Sequence, residues 1–233
     1  MYKKLYLKFV YFWHILSWII LFLPLRTVFK FKISFPQNDQ VSSRPLLVAV
    51  NHKSIFDPWF FTHTLTFRQY IKSAPMHAVA AQRFNNSFLN LIYYLITKPL
   101  IYFPYGVLVL PLPKDNTHLD TKAKITPFKK VLESMGTVFI FPEGHLYRYD
   151  GIHEFKRGVI HLQRETNAPI LLASIRFIKR PGFFGSVWWL PWVIRIINWD
   201  KELTYIPKNI ISDDKRSSEF LKEKLEKLYY NIN

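Results

Sequence analysis

The stretch "PLLVAVNHKSIFDPWF", residues 45–60, decides the fold. Its first six residues are an unbroken apolar run, the pattern of a strand buried on both faces of a parallel sheet. The run stops at Asn51-His52-Lys53-Ser54, and Asp57-Pro58 then opens a helical segment over 57–65. Aspartate is a favoured helix cap, and the fixed φ of proline suits the first helical position. A buried strand, a polar loop and a helix start make the first half of an α/β unit.

Working outward, the same alternation continues. "GVLVLPL" (106–112), "TVFIF" (137–141), "PILLASIRF" (169–177) and "WVIRIIN" (192–198) read as further strands. Residues 84–97 and 156–166 read as helices, and Thr126-Pro127 opens another that Gly136 ends. The closing segment places Leu221, Leu225, Leu228 and Ile232 at helical spacing, an amphipathic helix. The expected fold class is α/β: a central mixed, largely parallel sheet flanked by helices, with an N-terminal hydrophobic membrane-contacting helix. The expected division is 1–33 as that membrane-associating segment and 34–233 as the α/β domain.

The N-terminal expectation rests on "FVYFWHILSWIILFLPL" (9–25), an uncharged run with lysines before it and Arg26, Lys30 and Lys32 after it. Its length is at the lower limit for crossing a bilayer. Tyr11, Trp13 and Trp18 with basic flanks suit the interface. A spanning helix, a helix lying in one leaflet and a buried core helix are the three readings. A signal peptide does not fit, because no small-residue cleavage site follows "LFLPL". The aromatic stretch "GFFGSVWWLPWVIRI" (182–196) reads either as packed core or as a second membrane-contacting loop.

Bulk composition narrows the chemistry. The 233 residues carry a formal charge of +16 and are 49% hydrophobic, too apolar for a disordered chain. Such a field attracts polyanions: nucleic acid, anionic headgroups or an acidic carrier protein. The basic residues are spread along the chain and no nucleic-acid motif occurs, so nucleic acid is not an expected partner. Cysteine is absent, which removes thiolate metal sites and cysteine nucleophiles.

Two strand ends carry polar residues: Asn51-His52-x4-Asp57 and Phe141-Pro142-Glu143-Gly144. Ligands of open α/β sheets gather beyond the carboxyl ends of the strands. A histidine titrates near neutral pH and serves as a general base, and a carboxylate beside it fixes its tautomer. Residues five apart on one helix diverge, so His52 must lie in the loop for Asp57 to reach it. The other reading of these residues is a capping aspartate beside an ordinary loop histidine. Likewise, Glu143 alone reads as a helix cap or half of an ion pair.

Together, "NHKSIFD" and, some ninety residues later, "VFIFPEG" resemble the glycerolipid acyltransferase family that contains 1-acylglycerol-3-phosphate acyltransferase. The likeness covers roughly residues 45–200, with weaker features at "EFKRG" (154–158) and "APILLASI" (168–175). It implies a membrane-associated O-acyltransferase of phospholipid biosynthesis, its active site facing the cytoplasm. The acyl group would pass from acyl-CoA or acyl carrier protein to a lysophospholipid hydroxyl, by default that of 1-acylglycerol-3-phosphate. No bound cofactor or metal is implied. His52 and Asp57 match the catalytic pair, and Ser54 the motif serine. Asn51, Lys53, Ser54, Lys114, Glu143 and Gly144 are the candidate substrate-binding residues. The implied partners are membrane lipids, as lysolipid acceptor and anionic headgroups, and an acyl carrier protein.

The pattern departs from the family at its phosphate-holding arginines. Leu112 stands where a middle motif has one, with Lys114 two residues on, and His145-Leu146 replace Thr-Arg after Glu-Gly. Leu172 replaces a proline of the last motif. Lys53, Lys114, Arg148 and Lys156 are the available substitutes, and a non-phosphorylated or other lipid alcohol is the alternative acceptor. Two rival classes are a metal-dependent hydrolase using His145, His153 and His161, whose eight-residue spacing matches no zinc pattern, and a non-catalytic basic membrane- or nucleic-acid-binding module.

Overall fold

A computed structural model describes residues 8, 11–12, 14–16, 18–20, 26–35, 40–41, 43–54, 57–81, 107–112, 121–145, 150–178, 193–210 and 212–230. Lys114, Arg148, the expected helix at 84–97 and most of the aromatic stretch (182–192) lie outside them.

Among the described residues seven strands form one sheet: β1 (Lys30–Ser34), β2 (Leu46–Val50), β3 (Met76–Ala81), β4 (Val107–Leu112), β5 (Thr137–Ile140), β6 (Ile170–Ile178) and β7 (Ile194–Thr204), in the order β1-β7-β6-β2-β5-β3-β4. All neighbours are parallel except β6 and β7. The sheet is therefore mixed and largely parallel, as expected. The helices are α1 (Asp57–Thr64), α2 (Phe67–Ser73), α3 (Thr121–Glu133), α4 (Gly158–Thr166) and α5 (Asp214–Tyr230).

β2 shows why its sequence is apolar without alternation. Leu47 and Ala49 pack into a core with Phe128 and Leu132 of α3, Val159 and Leu162 of α4 and Leu221 and Leu225 of α5. Leu46, Val48 and Val50 point to the other face, against Phe60 and Phe61 of α1 and Tyr70 of α2. Each face of the strand is covered by helices, so both registers of the two-residue period must be hydrophobic.

α3 differs from the sequence reading, and β1 and β3 are strands which that reading did not include. α3 begins at Thr121, so Pro127 lies inside it rather than at its start. Buried Ile125 and Phe128 flank the proline, and packing offsets the hydrogen bond that it cannot donate. At the other end Met135, with φ 60, takes the left-handed turn. Gly136 is required there for room, because a Cβ would lie 2.7 Å from Val131 Cγ1 and 3.0 Å from its carbonyl oxygen.

The described N-terminal residues at 8, 11–12, 14–16 and 18–20 are helical. They dock on the α2–β3 corner through polar contacts. The Tyr11 hydroxyl donates to the Ala74 carbonyl (2.8 Å) and accepts from Arg44 (3.2 Å). His14 is fully buried; its Nε2 accepts from the Met76 amide (3.2 Å), which leaves the proton on Nδ1 facing the Tyr70 hydroxyl (3.2 Å). Burial, with the fields of His77 and Arg44, lowers its pKa to about 3. Phe12, Ile15, Ile19 and Ile20 are exposed on this segment. Among the described residues no helix is long and apolar enough to cross a membrane.

Candidate active site

Because β2, β5 and β6 run parallel as neighbours, the residues following β2 and β5 emerge at the same sheet edge. Asn51 fixes that edge. Its side-chain amide donates to the Ile175 carbonyl (2.9 Å) and accepts from the Ile175 amide (2.7 Å), joining the end of β2 to β6. Asn51 is fully buried and spends its side chain on this staple.

The next residue is the candidate base. His52 Nδ1 lies 3.0 Å from Asp57 Oδ2. The same oxygen accepts the backbone amides of Lys53 and Ser54, both at 2.7 Å. These donors belong to the loop before the helix, so the carboxylate faces back toward His52. The simple capping role is thereby replaced by a three-donor cradle. Asp57 is fully buried, whereas the His52 side chain is 20% exposed. Burial pushes the Asp57 carboxyl up, and the bonds from His52 and the two amides pull it down. A carboxylate on Nδ1 holds the proton there and leaves Nε2 as the basic nitrogen. The ring is clamped from one side by Phe141, stacked at 4.1 Å and 23°.

Glu143 is also fully buried. Its Oε2 accepts the His52 amide (3.0 Å) and its Oε1 the His153 amide (2.9 Å). The carboxylate thus ties the loop after β2 to the loop after β5. Gly144 closes the intervening turn, its amide bonding the Phe141 carbonyl (2.9 Å) with φ 70, a conformation that favours glycine. The Lys53 ammonium turns inward to the Gly151 carbonyl and lies 5.8 Å from the Tyr229 ring centre. Burial lowers the Lys53 pKa, while Glu143, Asp150 and Asp57 hold its charge. Tyr229 bonds both Asp150 and the Gly151 amide, so α5 braces this loop from behind.

The structure therefore brings together Asn51, His52, Lys53, Ser54, Asp57, Glu143 and Gly144. Of these, His52 and Gly144 reach the surface, while the rest are buried supports. Sequence reasoning quoted Phe141 in the second motif but gave it no role, and missed Asp150 and Tyr229, which carry no motif. Among the described residues no three histidine, aspartate or glutamate side chains group as a metal site would need, and His145, His153 and His161 form no such group.

Beside the site is a cavity of about 190 Å³ lined by Ile125, Phe128, Ile140, Phe141, Val159 and Leu162, with Gly144 and Lys156 also on its wall. Phe141 is shared: one ring both lines the cavity and stacks on His52.

The family model named Acyltransferase matches residues 32–176. The chain belongs to the Acyltransferase family. Both strand-end motifs and the cavity walls fall within that match. Among solved structures, the chain resembles the crystal structure of the 1-acyl-sn-glycerophosphate (LPA) acyltransferase, PlsC, from Thermotoga maritima. The TM-score is 0.50 at 13% identity, covering 96% of this chain and 82% of that one, a likeness of fold. No curated protein sequence matches the chain. The membership makes the chain an acyltransferase.

Proposed function

We propose that this acyltransferase moves a fatty acyl group from a thioester, acyl-CoA or acyl carrier protein, to the hydroxyl of a lysophospholipid. The observation that carries the reading is the His52–Asp57 pair, with the carboxylate buried and the imidazole at the surface. His52 Nε2 takes the hydroxyl proton as the acceptor oxygen attacks the thioester carbonyl carbon. Asp57 offsets the imidazolium charge that develops. Collapse of the tetrahedral intermediate breaks the C–S bond, and the imidazolium proton leaves on the thiol. Atoms and protons balance without an acyl-enzyme.

The acyl chain occupies the apolar cavity behind Phe141, where each buried methylene contributes about 0.8 kcal/mol. The default acceptor is 1-acylglycerol-3-phosphate. With the two family arginines replaced, exposed Lys156, whose stem crosses Gly144, is the described cation placed to meet a headgroup phosphate, and Lys114 is the further candidate from the sequence. The substitution also favours the alternative of another or non-phosphorylated lipid alcohol. Membrane contact is made by the N-terminal helix through Phe12, Ile15, Ile19 and Ile20, with the site facing the cytoplasm; the +16 charge draws the protein to anionic headgroups. The acyltransferase domain comprises 34–233 together with the rest of β1 from Lys30, which pairs with β7, and the membrane-associating segment is the part before it.

The test is mass spectrometry of products from a panel of lysolipid and donor pairs with wild type and His52→Ala. Wild type forms a diacyl product, and the variant forms none while keeping its circular dichroism spectrum. Near-wild-type turnover by His52→Ala overturns the mechanism.

A further inference from the structure

We propose that Phe141 is a positioning residue that couples the cavity to the base: an acyl chain in the cavity packs on its ring, and the ring fixes the plane of His52. The inference deepens the reading of His52 as the base and of the cavity as the acyl site, and it rests on that reading.

Two contacts hold the His52 imidazole. Asp57 Oδ2 lies 3.0 Å from Nδ1, and the Phe141 ring stacks on one face, with 4.1 Å between centroids and 23° between planes. A single hydrogen bond leaves a ring free to pivot about it. The stack removes that freedom and so sets where Nε2 points. A general base works only within hydrogen-bond reach of the proton that it takes, so its aim matters as much as its basicity.

The backbones of both residues are tied down. The His52 amide donates to Glu143 Oε2 (3.0 Å), the Gly144 amide to the Phe141 carbonyl (2.9 Å) and the Lys156 amide to the Pro142 carbonyl (2.6 Å). What remains adjustable is the Phe141 side chain. It is a hydrocarbon with no polar tether, half-buried, and only packing holds it. Such contacts are forfeited over gaps of less than an ångström. The ring lines the cavity of about 190 Å³ together with Ile125, Phe128, Val159 and Leu162, so whatever lies against those walls also packs on Phe141. Exposed Gly144 and Lys156, on the same wall, mark the cavity's mouth. A saturated chain entering there adds contacts to the ring and steadies the stack on His52.

An ordinary wall residue would change only how tightly the donor binds. Coupling makes a further demand. Donors too short to reach the ring leave His52 poorly aimed, so chain length enters kcat as well as KM.

The test follows the His52 ring proton by NMR at one pH in wild type and Phe141→Leu, the signal being assigned by its loss in His52→Ala. The probe is uncharged 1-decanol, with 1-butanol as the short control, and its seat is read from nuclear Overhauser effects to the Val159 methyl groups. In wild type decanol gives those effects and moves the His52 signal, because the ring current of Phe141 acts according to its position; butanol leaves the signal in place. In Phe141→Leu decanol takes the same seat and the His52 signal does not respond. The proposal is overturned by a seated decanol with an unmoved wild-type signal, by the absence of any seat, or by a Leu variant that responds like wild type. In turnover, Phe141→Leu should lose about 10- to 100-fold in kcat with a long-chain donor at little change in KM, and its kcat should no longer rise with chain length. A loss confined to KM overturns the proposal as well. Should Phe141→Leu not fold, Phe141→Met takes its place under the same criteria. The NMR arm needs no turnover: the decanol response in a protein that transfers no acyl group would sink the functional reading and leave the coupling of cavity to ring standing.

Discussion

In Glu143→Gln, one of the two backbone amides now bound by the carboxylate would meet an NH2 group instead of an oxygen. Glu143 accepts from His52 at 3.0 Å and His153 at 2.9 Å, one through each oxygen, and it is fully buried. Glutamine can satisfy one of these donors. The bond it keeps falls from charge-assisted to neutral, a loss of about 1 kcal/mol, and the other amide is stranded at about 1–3 kcal/mol. The expected destabilisation is about 2–4 kcal/mol, read from the urea midpoint at unchanged m-value. The loosened amide belongs to His52, so the loss also reaches the base: kcat should fall at least about tenfold, equivalent to about 1.4 kcal/mol, with KM for the lysolipid little changed. A variant of wild-type stability whose KM rises while kcat holds would refute the reasoning, because Glu143 would then be gripping the acceptor and not the loop.

Three further outcomes can be measured. Asn51→Ala removes both bonds to the Ile175 backbone and should cost about 2–4 kcal/mol in chemical denaturation; a cost near zero would show that the staple is dispensable. His14 is neutral in the fold to about pH 3 but protonates near 6.5 when unfolded, so stability should decline as pH drops below 6.5, at a slope approaching about 1.4 kcal/mol per unit, with His77, lowered to about 4, adding to it. His14→Gln should flatten the slope of urea midpoint against pH, and an unchanged slope would contradict the assignment. Val159→Phe fills part of the cavity behind Phe141, and product mass spectrometry should show a shift to shorter acyl donors, about fourfold in affinity per excluded methylene; an unaltered chain-length profile would place the acyl chain elsewhere.

How much was legible depended on what each residue faces. The run 45–50 announced a strand covered on both sides, and the polar break after it marked the site, because only a loop end tolerates Asn-His-Lys-Ser there. β1 and β3 were not legible: "KFKIS" alternates charge on an exposed edge strand, and "MHAVAA" is built from small residues with a histidine in the middle. The site residues were identifiable by type but not by direction. Glu143, Lys53 and Asn51 are the polar kinds that contact substrates, yet each points into the protein, a fact set by Ile175, Gly151 and His153, distant partners that no local pattern encodes.

The brace from Tyr229 has a consequence for how the enzyme is made. Asp150 and Gly151 are held by a side chain near the end of α5, and through Lys53, His153 and Glu143 that support passes to His52. The loop carrying His52 and Asp57 is translated before its brace. A nascent chain carrying the complete histidine–aspartate motif therefore lacks this brace until α5 has left the ribosome.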